Sequence, residues 1–262
     1  MSRLTRLFMA LSLFVGSGFC QTAQDEMQAG VKAYRSAKDQ EAIRHFQRAV
    51  ALDPDLTAAH LYLGNCYAQQ YIPGSDSEEA IAIGENAITE LKLVLSANTP
   101  QDERIAALRL LGSVQFNMKK FEPAKNTYSQ LSSLVPEDTN AYYTIGVIDW
   151  TECYTPRMDL RASMNLKLTD EITTVSACNL LRSMNQKNVE DGIEKLSRAL
   201  DLKPDYDDAM AYMNLLYREK AEYECDNPEQ RQTDLKMADQ WVDRALQSKK
   251  AKAEKETQAA PQ

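Results

Sequence analysis

The sequence predicts an all-α protein made of stacked helix pairs, and three observations predict it. Nine Gly and nine Pro are few for 262 residues, whereas Ala, Leu, Glu, Gln, Lys and Met, which favour helices, are plentiful. From Asp25 onward apolar residues fall at i, i+4 and i+7, the spacing of one helix face. Finally, one set of marks returns along the chain: a small residue, then an apolar stripe with a large residue at its centre, then, in all but the last unit, a closing proline.

The chain opens with export layout. Arg3 and Arg6 form a basic start, Leu7 to Val15 an apolar run, and Gly16 to Cys20 a mostly small-residue stretch before polar Gln21. This arrangement predicts a signal peptide over residues 1–20, cleaved between positions 18 and 23. Two alternatives stay open, a lipoprotein anchored through Cys20 and an uncleaved anchor, although Phe19 is large for a lipidation site. The expected location is therefore periplasmic or secreted, with envelope anchoring through Cys20 as the variant form.

Gly30 to Pro54 is the shortest complete unit and serves as the ruler. Gly30 is followed by Ala42, Phe46 and Ala49 on one helical stripe, and Asp53-Pro54 ends the second helix because proline cannot continue it. The marks return at Gly64, Ala87, Leu91 and Pro100; at Gly112, Ala124, Tyr128 and Pro136; and at Gly146, Gly192, Leu196, Ala199 and Pro204. Asn214 replaces the glycine in a last, degenerate unit that runs to Ala238, Val242 and Ala245. From each proline to the next glycine-type position the gaps are 10, 12, 10 and 10 residues, and from the alanine-type position to the proline 12, 13, 12 and 12. The remaining interval is 12, 23, 12, 46 and 24, so nearly all length variation is confined to the turn inside each pair.

These residues resemble the tetratricopeptide repeat, a pair of antiparallel helices with Leu-Gly, Tyr, Ala, an aromatic, Ala and Pro at fixed offsets. The match rests on Gly30, Ala42, Phe46 and Pro54; on Gly64 and Tyr67; on Gly112, Ala124, Tyr128 and Pro136; and on Gly146, Ala199 and Pro204. The resemblance implies a right-handed superhelical solenoid of about five repeats: 23–56, 57–104, 105–138, 139–206 and 207–247. The second, fourth and fifth carry insertions in the turn between paired helices, the largest over about 151–186, and residues 248–262 read as a polar tail, fraying or disordered. In the second repeat the helix is expected to begin near Ser77, and Pro228 suits the first turn of the last helix. The large insertion equals one repeat in length, so a degenerate sixth repeat is the alternative reading. Small residues at the glycine positions let helices approach, and Phe46, Leu91, Tyr128 and Leu196 fill the gap between them.

Composition excludes several classes of function. A net charge of -8 argues against nucleic acid as partner, and no apolar run outside the leader is long enough for a mature membrane span. Five Cys without CxxC spacing and only His45 and His60 leave no metal site and no cofactor to expect. In an oxidising compartment the cysteines either stay reduced or pair, and the favoured pair is Cys153–Cys178, stapling the large insertion. No catalytic motif is present, and acidic pairs such as Glu78-Glu79 sit at helix starts, where a carboxylate meets the positive end of the dipole.

The expected function is non-catalytic, a protein-interaction scaffold of the cell envelope. The resemblance implies that an extended peptide or partner helix lies along the concave face of the first helices, against Tyr34, Asn65, Arg109, Phe116, Asn117, Tyr143 and Trp150. Tyr34, Phe116 and Trp150 share one offset, either as aromatic anchors or as packing against neighbouring helices. The alternative is an enzyme or ligand receptor whose pocket is built by residues 151–190, which a closed apolar pocket with converging polar groups would favour.

Overall fold

The computed structural model describes residues 22–168 and 170–259. The export segment, Cys20 included, lies outside them. Ten α-helices and no strands occur among the described residues, and the chain divides into two compact units between Ala59 and His60.

The first unit is a helix pair, α1 (Ala23–Arg35) and α2 (Asp39–Leu52). Thr22 starts α1 through a capping box: its hydroxyl accepts from the Asp25 N–H at 3.1 Å, and the Asp25 carboxylate accepts from the Thr22 N–H at 3.0 Å. The turn is tight, with Lys38 N–H donating to the Ala33 carbonyl at 3.0 Å and Ala37 held at φ 54. Phe46 is wholly buried and lies against Gly30 so closely that a Cβ there would meet its ring at 2.5 Å. Between the helices, Glu26 is buried and its carboxylate meets His45 Nδ1 at 2.5 Å.

The second unit continues with α3 (Thr57–Gln70), α4 (Glu78–Ser96), α5 (Gln101–Asn117) and α6 (Phe121–Leu134). Ser77 caps α4, accepting from the Ala80 N–H at 3.2 Å. The turn after α5 repeats the device of the first unit, with Lys119 at φ 58 and Lys120 N–H donating to the Gln115 carbonyl at 2.8 Å. Gly64 faces Leu91, Gly112 faces Tyr128, and Gly146 faces Leu196, each at a distance where a Cβ would collide. One apolar cluster gathers Leu91, Val94, Leu111 and Val114, and another gathers Leu108, Tyr128, Leu131 and Ile145.

Beyond these, α7 (Thr139–Ser163) and α8 (Val175–Leu202) form a pair much longer than the ruler. The residues between the repeat marks of this pair lengthen both helices and the loop between them. α7 runs through Pro156, whose missing N–H removes one intrahelical bond. α9 (Asp207–Tyr223) packs on α7 and α8, and α10 (Pro228–Ala259) packs on α9. Within the expected polar tail, residues 248–259 continue α10. Ser248 Oγ donates to the Asp205 carbonyl at 3.0 Å and Lys252 Nζ to Asp207 at 2.5 Å, docking it onto the start of α9.

Candidate functional site

The extension of α7 packs against α9 through Arg157 with Glu219 and Arg161 with Glu222. Tyr143, Trp150 and Tyr154 lie on one stripe of α7, spaced i, i+7 and i+11. Tyr206, just before α9, and Tyr212, within it, meet them. The Tyr143 ring lies 4.8 Å from Tyr206 and 5.8 Å from Tyr212, and the Trp150 indole 5.5 Å from Tyr212 and 5.6 Å from Tyr154. The Tyr143–Tyr212 and Trp150–Tyr212 pairs are edge-to-face, the arrangement the ring quadrupole favours. Beneath the strip lies an apolar cluster that includes Leu181, Leu196, Met213 and Leu216. The strip is only partly covered, and Tyr154 is 41% exposed.

Past Trp150 the strip ends in a pocket of about 250 Å³. Trp150, Leu168, Leu215 and Leu235 supply its apolar walls, and Arg157, Arg218, Glu219 and Glu222 its polar ones. Arg157 Nε meets Glu219 Oε1 at 2.8 Å while its guanidinium lies 5.3 Å from the Tyr154 ring. Burial pushes the Glu219 carboxyl up to about 7, against the opposing pull of Arg157. Behind the pocket Arg161, 2% exposed, holds the loop after α7. Its Nη1 donates to the carbonyls of Lys167 at 2.7 Å and Asp170 at 2.8 Å, and its Nη2 to both Glu222 oxygens at 2.8 Å. On the other side of α7, Asp149 is wholly buried against Lys125, and burial pushes its carboxyl up to about 6.

The sequence-derived contact residues divide in the structure. Tyr143 and Trp150 enter the strip. Arg109 does not stand free: its Nε and Nη2 each reach Asp138 at 2.9 Å, and Asp138 in turn caps α7 by accepting from the Ala141 N–H at 3.0 Å. Phe116 pairs with Phe121, ring centroids 6.1 Å apart, at the α5–α6 turn. Asn117 offers its carbonyl to the Tyr71 hydroxyl at 3.4 Å, and Asn65 accepts from Gln69 at 3.4 Å. Tyr34 is half-buried on α1, in the first unit. Sequence reasoning passed over Tyr154, Tyr206, Tyr212 and the Arg157–Glu219 and Arg161–Glu222 pairs. One signal was available: the offset shared by Tyr34, Phe116 and Trp150, carried one unit further, lands on Arg218, which lines the pocket.

The cysteine pairing differs from expectation. Cys178 is joined to Cys225, with Cα atoms 6.0 Å apart, and Cys153 is not part of the bridge. The antiparallel register explains this. Asn185 Nδ2 donates to the Cys153 carbonyl at 2.9 Å, and the Cys153 thiol reaches the Asn185 carbonyl, 3.7 Å away. Cys178 is thus seven residues, about 10 Å at 1.5 Å per residue, along α8 from the position opposite Cys153. That is too far for a bridge. The observed disulfide ties the first turn of α8 to the segment after α9, beside an ion pair of Arg182 with Asp226 at 2.6 Å.

Among the described residues no helix is long and apolar enough to cross a membrane, and no group of His, Cys, Asp and Glu could hold a metal ion.

Antiparallel helix pairs with a glycine-type position in the first helix against a large side chain of the second define the tetratricopeptide-repeat fold. This chain has that fold. A crystal structure of MamA matches it with a TM-score of 0.60, at 19% identity, over 89% of this chain and 95% of the other. A MamA structure from Desulfovibrio magneticus RS-1 matches with a TM-score of 0.56, at 15% identity, over 87% of this chain and 96% of the other. YrrB, described as a TPR protein with an unusual peptide-binding site, matches with a TM-score of 0.55, at 15% identity, over 88% of this chain and 93% of the other. Identities this low establish the likeness of fold alone. No protein-family model and no curated protein sequence matches the chain.

Proposed function

We propose that this protein is a non-catalytic scaffold that holds an extended peptide or a partner helix along its first helices. The observation that carries the reading is the strip of Tyr143, Trp150, Tyr154, Tyr206 and Tyr212 on α7 and around the start of α9. Large rings with little rotamer freedom are what protein interfaces use as anchors. A peptide-binding site on a protein of the same fold, YrrB, supports it. The pocket at the end of the strip is small for a cofactor or metabolite, which typically occupies about 300–1,000 Å³. That favours the scaffold over the enzyme or receptor alternative.

The test is selection of displayed random peptides against the immobilised full chain, followed by affinity measurement with a Tyr154→Ala/Tyr212→Ala variant. Removing two anchors is expected to weaken the selected peptides by about 10-fold or more, the scale of interface hot spots. Glu190→Ala, on an exposed part of α8, should leave them unchanged. Failure to enrich any peptide, or equal binding by all three proteins, would refute the scaffold reading.

Export to the cell envelope is part of the same proposal. The leader layout of residues 1–20 supports it, and so does the Cys178–Cys225 bridge, since disulfides persist in oxidising compartments. Fractionation with mass measurement of the processed chain tests it, and radioactive palmitate labelling separates the Cys20-anchored form from the cleaved one. A cytoplasmic, full-length, fully reduced chain would overturn it.

A further inference from the structure

We infer that the pocket between the α7 extension, α9 and α10 receives one aromatic side chain of the bound peptide; the inference rests on the scaffold reading of the adjoining strip. Three properties of the pocket select this occupant. The first is size: about 250 Å³ accommodates one large side chain and falls below the usual range of small-molecule sites, roughly 300–1,000 Å³.

The second is charge. Each ionisable wall group already has an opposite partner: Arg157 has Glu219 at 2.8 Å, Glu222 has Arg161 at 2.8 Å, and Arg218 has Asp239 at 2.8 Å. An incoming carboxylate or ammonium would have to take over one of these partners and strand the other member. At Glu219, 2% exposed, and Arg161, 2% exposed, that leaves a buried charge uncompensated. A neutral side chain leaves the pairs intact.

The third is the chemistry of the walls. Leu168, Leu215, Leu235 and the Trp150 indole exclude water from the sides of an apolar guest. The Arg157 guanidinium, which already lies over the Tyr154 ring at 5.3 Å, offers its charge to a second π face. An aliphatic guest would gain the apolar burial but neither the cation–π attraction nor a ring contact with Trp150. Delivery follows from continuity, because Trp150 belongs to both strip and pocket. A chain lying across Tyr212 and Trp150 can drop one side chain into the pocket without leaving the strip.

The experiment uses the ¹⁵N-labelled full chain and capped tripeptides, acetyl-Gly-X-Gly-amide, with X as Trp, Phe, Leu, Glu or Lys. Each is titrated to millimolar concentration while the indole N–H resonance of Trp150 is followed. The Trp241 resonance is assigned with Trp241→Phe and serves as the internal reference. The Trp and Phe peptides are expected to saturate the Trp150 shift about 5-fold more tightly than the Leu peptide, the scale of one aromatic or cation–π contact. Glu and Lys peptides are expected to bind more weakly still. Leu235→Trp, which places a ring in the pocket from its own wall, is expected to abolish the aromatic preference; the wild-type titration decides even where that variant folds poorly. Leu, Glu or Lys peptides that bind as tightly as the aromatic ones, or no response at Trp150 to any probe, would overturn the assignment while leaving the scaffold reading to the display experiment. If aromatic tripeptides saturate the pocket but display enriches nothing, the pocket stands and the scaffold reading falls.

Discussion

Replacing Arg161 by Ala removes a side chain that ties the loop after α7 to both its own backbone and α9. Arg161 is 2% exposed and donates to the carbonyls of Lys167 and Asp170 through Nη1, and to both Glu222 oxygens through Nη2. Breaking a buried ion pair from one side costs about 3–5 kcal/mol, chiefly because the partner charge is stranded. Here Glu222 keeps 23% of its side chain exposed and partly rehydrates, so the lower end, about 3 kcal/mol, is the expected loss in urea unfolding. The loop can also open without the rest of the unit unfolding, and hydrogen exchange by mass spectrometry separates the two effects. Peptides spanning residues 164–174 should lose protection first, while those in α5 and α6 keep theirs. Arg161→Met with Glu222→Leu should recover most of the loss, because no charge is left unpaired. Unchanged exchange in 164–174, or a double variant as unstable as the single one, would refute the claim that Arg161 organises the loop.

Three further outcomes follow from the same geometry. Reducing the Cys178–Cys225 bridge, or Cys225→Ser, should cost up to about 4 kcal/mol, the chain-entropy value for a loop of this length. A melt insensitive to reductant would count against the bridge. Glu219 binds its proton more tightly folded than unfolded, since burial raises it from 4.5 to about 7. Its contribution is therefore full below pH 4.5 and is lost as pH rises through about 7, so Glu219→Gln should flatten the fall in stability across that window. A pH–stability curve unchanged by this substitution would exclude Glu219 as its source. Lys119, held at φ 58 in the α5–α6 turn, should accept glycine with a gain of about 0.5–1 kcal/mol, because a Cβ is strained there. Lower stability of Lys119→Gly in a denaturant titration would contradict that reasoning.

The repeat was legible because its determinants are local. A glycine in one helix and a large residue in the next, separated by a short turn, must face each other once the pair closes, and Gly30 lies against Phe46 for that reason. The tight turns at Ala37 and Lys119 were not legible, because neither carries the glycine that usually marks a left-handed residue. The candidate site was half legible. Tyr143 and Trp150 fell out of the repeat offsets, but Arg109 went to capping duty at Asp138, a choice settled by where α7 begins.

By itself, then, the sequence determined the helix pairs, their register marks and the places where extra residues enter, all consequences of periodicity and of proline and glycine chemistry. Only the tertiary structure decided what the large insertion does. It lengthens α7 and α8, and the loop between them is held to α9 through buried Arg161 and Glu222. The cysteine partner belongs to the same kind of decision. Cys178 and Cys225 lie 47 residues apart in different helix pairs, and their meeting depends on how α9 packs against α8. No local spacing carries that information, since distance along the chain does not fix distance across it.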